Sequence, residues 1–436
     1  MPATEAIDYG TQGDAVLVGE HEPVPTPEPP RERAEGGALG ALKAPRFARF
    51  FGGLIFSLTG VWIRITAMGY LVYELTEDEF KLGLISFAQA APVLITGTIA
   101  GSILDRMDRT RIMLVVQVVN VLAMALVAFL VATDRVEFWH LVIIAVVIGS
   151  ASGFDWPARM SIVPSLVARS RLQSAVALNS AAFNASRIIG PSIGGWLIGA
   201  VGLAMCFGFT AAAFVPFMLV LLTLGSTATA RPAGEHQQSG FAALKEGYRY
   251  IWRTPRIRGL LSVDIIPLAL GISYFTMAPA IARDVLDLGS RGLGILLAAN
   301  GIGSLSGTIA VAMLAGVRNR GRIVVLGVGA FAICLIAFAM SSSVVLSTML
   351  IMVLGLCTAI YSTFNDTLIQ LTVDDAYRGR VLSVYSMMWG LTPIGGLQVG
   401  LLSRSIGVQQ ALAINGLLIL LYMVFLWYRT PVRHID

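Results

Sequence analysis

Apolar residues run along this chain in blocks of roughly 20, parted by short polar turns, and twelve such blocks fit between residues 47 and 428. A helix rises about 1.5 Å per residue, so a block of this length crosses a hydrocarbon layer of about 30 Å, where the backbone finds no hydrogen-bond partner outside its own helix. The pattern predicts an all-α membrane protein with twelve transmembrane helices, at 47–73, 81–104, 112–133, 139–164, 174–201, 203–225, 259–283, 292–316, 323–340, 345–370, 381–403 and 407–428.

One polar interruption is longer than the rest. Residues 226–258 split the spans six and six, and "FAALKEGYRYIWR" within them has the spacing of an amphipathic helix lying on the membrane surface. The two sets echo each other. "TIAGSILDRMDRTRI" from Thr98 lines up with "TIAVAMLAGVRNRGRI" from Thr308, both at the end of a second helix, and "GPSIGG" at Gly190 lines up with "TPIGG" at Thr392, both in a fifth helix. The expected organisation is a tail (1–45), a six-helix half (46–225), a linker (226–258), a pseudo-symmetric six-helix half (259–428) and a short tail (429–436). Two such halves suit a rocker-type transporter with its substrate cavity between them.

Composition adds a boundary condition: with 56% hydrophobic and 13% charged residues, the chain has more apolar surface than one soluble core can hide. The placement of charge says more than its total. Of 31 Lys and Arg, 24 fall on one side of the predicted spans, five (Lys81, Arg135, Arg283, Arg291, Arg404) on the other, and Arg64 and Arg187 inside spans. The positive-inside bias puts both termini in the cytoplasm of a cell-membrane protein and accounts for the net charge of +5 without a nucleic-acid surface. Residues 1–45 are polar and Pro-rich, which predicts a disordered cytoplasmic tail and not a signal peptide. Cys206, Cys334 and Cys357 fall inside spans with no metal or redox spacing, as small buried apolar residues do.

The turn after the second span, "GSILDRMDRTRIM", carries carboxylates as well as arginines, more than topology asks. It resembles the major facilitator superfamily signature G-x-x-x-D-R-x-G-R-R/K: Gly101, Asp105, Arg106, Arg109 and Arg111 carry the match, and Asp108 stands where the family usually has Gly. The resemblance implies a conformational latch in which the turn's Asp meets an Arg and an acidic residue on helix 4, here Asp155, so that breaking it shifts the inward and outward populations. "RIIGPSIGGWLIG" is similar to the G-P-x-x-G-G motif of drug:proton antiporters, through Gly190, Pro191, Gly194 and Gly195. Glycines four or five apart let helix backbones approach and slide, and Pro191 permits a kink; tight packing alone explains them equally well. "GVWIRITAMGYLVYELT", "NSAAFNASRIIGP" and "NDTLIQLTVDDAYRGRVLSVYSM" narrow the resemblance to the enterobactin exporter and macrolide efflux branch.

Ionisable groups inside spans cost about 2.5–3.5 kcal/mol each on insertion scales, so each asks for a reason. For Arg64 and Arg187 two readings stand: Arg187 pairs with Asp155 structurally, or both arginines give a cavity a positive field that selects anionic cargo such as a catecholate. Proton coupling needs a buried carboxylate. Relatives in this branch carry one in helix 1, where Gly69 stands here, which leaves Asp264 and then Asp366 as candidates, each also readable as a hydrogen-bonded structural Asp. Arg64, Tyr70, Asn184, Arg187, Tyr274, Asn300, Tyr361, Asn365, Tyr385 and Trp389 are candidate cavity residues, since amides and aromatics in lipid-crossing helices suit a wet cavity for bulky amphipathic compounds. No nucleophile–base set, metal spacing or phosphate loop appears, so an enzyme is not expected and no cofactor is needed beyond an ion gradient. The expectation is a monomeric proton antiporter that exports a drug-like or siderophore-like small molecule through the bilayer. An uptake permease of the same fold is the alternative within transport, and a non-transporting receptor or scaffold the alternative outside it.

Overall fold

The computed structural model describes residues 37–104, 107–225, 240–314, 317, 319–388, 390, 392–430 and 432. A 3-10 turn, Gly37–Lys43, leads into α1 (Pro45–Thr76), α2 (Glu79–Leu104), α3 (Arg109–Ala132), α4 (Phe138–Leu166) and α5 (Leu172–Leu224). α6 (Gly240–Arg253) precedes α7 (Pro255–Ile266), the short α8 (Ser273–Thr276) and α9 (Ala278–Ala280), then α10 (Ser290–Met313), α11 (Arg320–Ala339), α12 (Val344–Thr372), α13 (Asp375–Met388), α14 (Thr392–Ile406) and α15 (Val408–Arg429).

Ten helical segments among the described residues are long and apolar enough to cross a membrane. One of them carries two spans, because Gly202 inside α5 has φ 82° and ψ 169°, a conformation a side chain would strain, and the chain reverses there into 172–201 and 203–224. A further span is assembled from two pieces: α13 and α14 are separate helices where one run over 381–403 was expected. The segment expected as one helix over 259–283 is also broken. Pro267 opens a π turn (Pro267–Gly271) after α7, and a second π turn (Ile281–Val285) follows α9; proline lacks the N–H that a regular ladder needs, and wide turns absorb the mismatch. With these breaks counted, twelve spans form two six-helix halves.

Glycine determines how the halves meet. In each half the fifth helix lies against the first helix of its own half and against the second helix of the other. A Cβ on Gly190 of α5 would overlap the Cβ of Trp62 on α1, and a Cβ on Gly195 would lie 2.5 Å from the Ser290 carbonyl of α10. The repeat is visible in α14: a Cβ on Gly395 would overlap the Ala269 carbonyl, and one on Gly400 would lie 2.5 Å from the Glu79 carbonyl of α2. Only hydrogen fits at these crossings, so the backbones come into direct contact.

The halves are also joined by charge at the arginine-poor end. Arg283 Nη2 donates to Glu77 Oε1 at 2.6 Å, Arg404 Nε donates to Asp78 Oδ1 at 3.1 Å, and the Tyr73 hydroxyl donates to Asp284. Among the described residues, the side-chain hydrogen bonds and ion pairs that cross between halves lie at this end.

Candidate functional site

α7, α12 and α13 bring four polar side chains together inside the second half. Asp264 lies one turn before the Pro267 break and is 5% exposed; Asn365 is fully buried. Asn365 Nδ2 donates to Asp264 Oδ2 at 2.9 Å and to the Leu260 carbonyl at 3.2 Å. The Tyr385 hydroxyl lies 2.5 Å from Asp264 Oδ2 and 2.7 Å from Asp366 Oδ1. A phenol has one proton to donate, so it can serve only one of the two carboxylates; the other contact is a hydrogen bond only when that carboxyl carries a proton and donates to the phenol oxygen. Asp264, Tyr385 and Asp366 thus form a unit with a place for one additional proton. A cavity of about 20 Å³, enough for a single water, opens beside them against Tyr361 and Ser362.

A larger cavity, about 90 Å³, lies between the halves and is lined by Thr66, Gly69, Ser86, Gln89, Phe275 and Thr276, with apolar neighbours. Drug-sized ligands occupy cavities of roughly 300–1,000 Å³, so this space is too small for one while the arginine-poor end is joined. Gly69 faces it. None of the nine candidate cavity residues that are described lines it. Tyr274 and Asn300 are instead buried in the second half, with Asn300 Nδ2 donating to Tyr274 Oη at 2.7 Å, and Tyr361 packs edge-on to Phe331. Asn184 Nδ2 donates to the Ser180 carbonyl of its own helix, and Tyr70 is half-buried on α1. Trp389 lies outside the described residues. The liners Thr66, Ser86, Gln89 and Thr276 are small or lone polar residues inside apolar runs, a signal present in the sequence but shared with ordinary helix-packing positions.

The pairing of Arg187 with Asp155 is not formed: Asp155 pairs with Arg159 one turn along α4, and among the described residues no carboxylate pairs with Arg187. Among the described residues, Arg187 Nε is buried without a hydrogen-bond partner. Arg64 is 2% exposed, and neither its Nε nor its Nη1 has a hydrogen-bond partner. Both guanidiniums therefore stand in the first half with donors unused.

At the helix 2 turn, Gly101 lies in the last turn of α2, while Asp105 and Arg106 lie outside the described residues. Asp108, the departure from the signature, is the N-cap of α3, with Oδ1 accepting from the Thr110 N–H at 2.9 Å. Arg109 Nη1 donates to the Ser161 carbonyl of α4 at 3.0 Å, and Arg111 is exposed. Arg159, nearly fully buried beside Asp155, was not among the candidates.

Two pseudo-symmetric six-helix halves, joined at one end, with a cavity between them and a buried acid cluster inside the second half, define a secondary transporter of the rocker type. The chain belongs to the major facilitator family described as transmembrane secretion effectors, which it matches over residues 36–436, and it is a transporter, not an enzyme. It is 25% identical to the staphyloferrin A transporter of Staphylococcus aureus over 86% of this chain and 94% of that protein, and 25% identical, with the same coverage, to the multidrug efflux pump Tap of Mycolicibacterium fortuitum. The enterobactin exporter EntS of Escherichia coli is 24% identical over 88% of this chain and 92% of its own length. Among solved structures, a D-xylose-proton symporter superposes with a TM-score of 0.69 at 13% identity, covering 91% of this chain and 99% of its own, a likeness of fold alone.

Proposed function

We propose that this protein is a proton-driven exporter of amphipathic organic compounds, drug-like or siderophore-like, working by alternating access, with its arginine-rich end and both termini in the cytoplasm. The observation that carries the reading is the Asp264–Tyr385–Asp366 unit, a place for one proton made by three helices of one half. The Asp264 helix ends at a proline break and the Tyr385 helix ends at Met388, so Asp264 and the bridging tyrosine sit near helix ends, while Asp366 is held within the continuous α12. In this state the ion pairs close the outer end and cargo enters from the cytoplasm; rocking opens the outer end, releases cargo and admits the next proton. Arg64 and Arg187, with unused donors, favour anionic cargo. The helix 2 turn is the inner latch: Arg109 ties it to the Ser161 carbonyl of α4, the helix that carries the Asp155–Arg159 pair, and the signature assigns Asp105 and Arg106 to the same latch. The exporting relatives support the direction of transport.

The test is flux in proteoliposomes under an imposed pH gradient, comparing a catecholate siderophore, a cationic dye and a neutral macrolide. Asp264→Asn is expected to abolish gradient-driven accumulation while leaving downhill movement in place. Accumulation and a pH profile equal to wild type in that variant would overturn the assignment. Loss of anion flux alone in Arg64→Ala supports the anionic class, and unchanged flux removes it.

A further inference from the structure

α6 is a two-faced helix, and the other described residues use one of its faces. Glu246, Gly247, Tyr250 and Ile251 turn toward α13. A Cβ on Gly247 would lie 2.9 Å from the Arg380 carbonyl, Arg380 pairs with Glu246 at 3.2 Å, and Tyr250 stacks on Tyr377 at 4.2 Å while its hydroxyl donates to Asp374 at 2.8 Å. The opposite face carries Lys245, Tyr248, Arg249, Trp252 and Arg253, all exposed, at the i, i+3, i+4, i+7, i+8 spacing of one helical stripe. Arg256 and Arg258 extend it, the Arg258 guanidinium lying 5.6 Å from the Trp252 ring centroid. Five cations therefore share a surface with two ring systems, and the acids nearest in the fold, Glu246 and Asp374, are engaged on the other face.

We propose that this face docks on anionic lipid headgroups of the leaflet at the arginine-rich end. Tyr and Trp prefer the headgroup level, where one edge of the ring is wet and the other is not, and Lys and Arg beside them complement a negative surface. Only the naming of that leaflet as cytoplasmic rests on the orientation proposed above. The docked helix is fastened to α13, the piece of broken helix that carries Tyr385, so the lipid surface holds one end of the element that closes the proton unit.

The experiment is hydrogen exchange on the full-length protein in nanodiscs of phosphatidylcholine alone and of phosphatidylcholine with phosphatidylglycerol. Amides over 245–258 are expected to exchange more slowly in the anionic discs, each basic residue strengthening docking by about fivefold. High salt should erase the difference, since a Debye length of about 3 Å at 1 M screens exposed charges. The combined variant Lys245→Gln, Arg249→Gln, Arg253→Gln, Arg256→Gln should exchange alike in both discs; its substitutions are all on exposed side chains, so folding is preserved. Equal exchange of the wild type in the two bilayers, or lipid dependence retained by the variant, overturns the proposal. Protection seen in native membranes but not in anionic discs identifies a protein occupant and also overturns it. Because the readout is exchange, it stands apart from whether the transport reading holds.

Discussion

Tyr385 is the residue on which the proton unit turns. Asp264 and Asp366 are legible in the sequence as carboxylates inside apolar runs, but nothing in spacing shows that a tyrosine 121 residues from one and 19 from the other bridges them. The sequence suggests Tyr385 and Asn365 only as cavity liners; the fold makes them partners of the acid. Tyr385→Phe keeps the ring and removes the one hydroxyl between the carboxylates. Losing a hydrogen bond to a charged group costs about 1.5–3 kcal/mol, so the folded state should weaken by that order. The larger effect is expected on coupling. Without the bridge the two acids cease to titrate as a pair, and the pH profile of proton-driven flux should change its shape as well as its height. A profile that merely scales down would mean that the phenol supports the fold and does not link the acids.

At the scale of elements, the twelve-block pattern is read correctly from hydrophobicity, while the breaks are not. Pro267 and Gly202 are visible as residues, yet whether a proline kinks, widens or ends a helix depends on what packs beside it. The glycine motif is likewise legible as a place of close approach, but its partners are not. Structure separates two glycines that the motif treats alike. Gly190 meets α1 within one half, so Gly190→Ala should cost stability, about 1–3 kcal/mol for an overpacked contact, read as a lower unfolding temperature. Gly195 meets α10 of the other half, so Gly195→Ala should push the halves apart instead. A cysteine placed at Thr276, in the cavity between halves, should then react faster with an impermeant maleimide added from outside. Equal labelling in the two glycine backgrounds would show that the α5–α10 crossing is not a moving contact.

For the whole molecule, the question is where the proton acts, at the outer ion pairs or at the buried unit. The ion pairs lie at the ends of helices, where Glu77, Asp78, Arg283 and Arg404 read from sequence as ordinary solvated charges, and the fold shows them facing across the halves. Asp78 bears on the first of these, the outer ion pairs. The hydrogen bond from Arg404, more than any other influence, holds its carboxyl below the ordinary carboxylate range, against the upward pull of partial burial. A lowered value in the closed state means that the contact is fully formed above the ordinary carboxylate value of about 3.9 and is lost only as the pH falls through the lowered one. An acidic exterior at about pH 5 to 6 therefore leaves this closure intact, and the gradient cannot drive rocking by discharging it. Outer-end opening, followed by labelling of the Thr276→Cys cavity position, is expected to show no titration from about pH 8 to about pH 5 that belongs to Asp78. Asp78→Asn should raise labelling at every pH in that range by a constant factor. If the effect of Asp78→Asn instead vanishes as the exterior is acidified toward about pH 5, Asp78 itself takes up the driving proton, and the unit at Asp264, Tyr385 and Asp366 is a structural network.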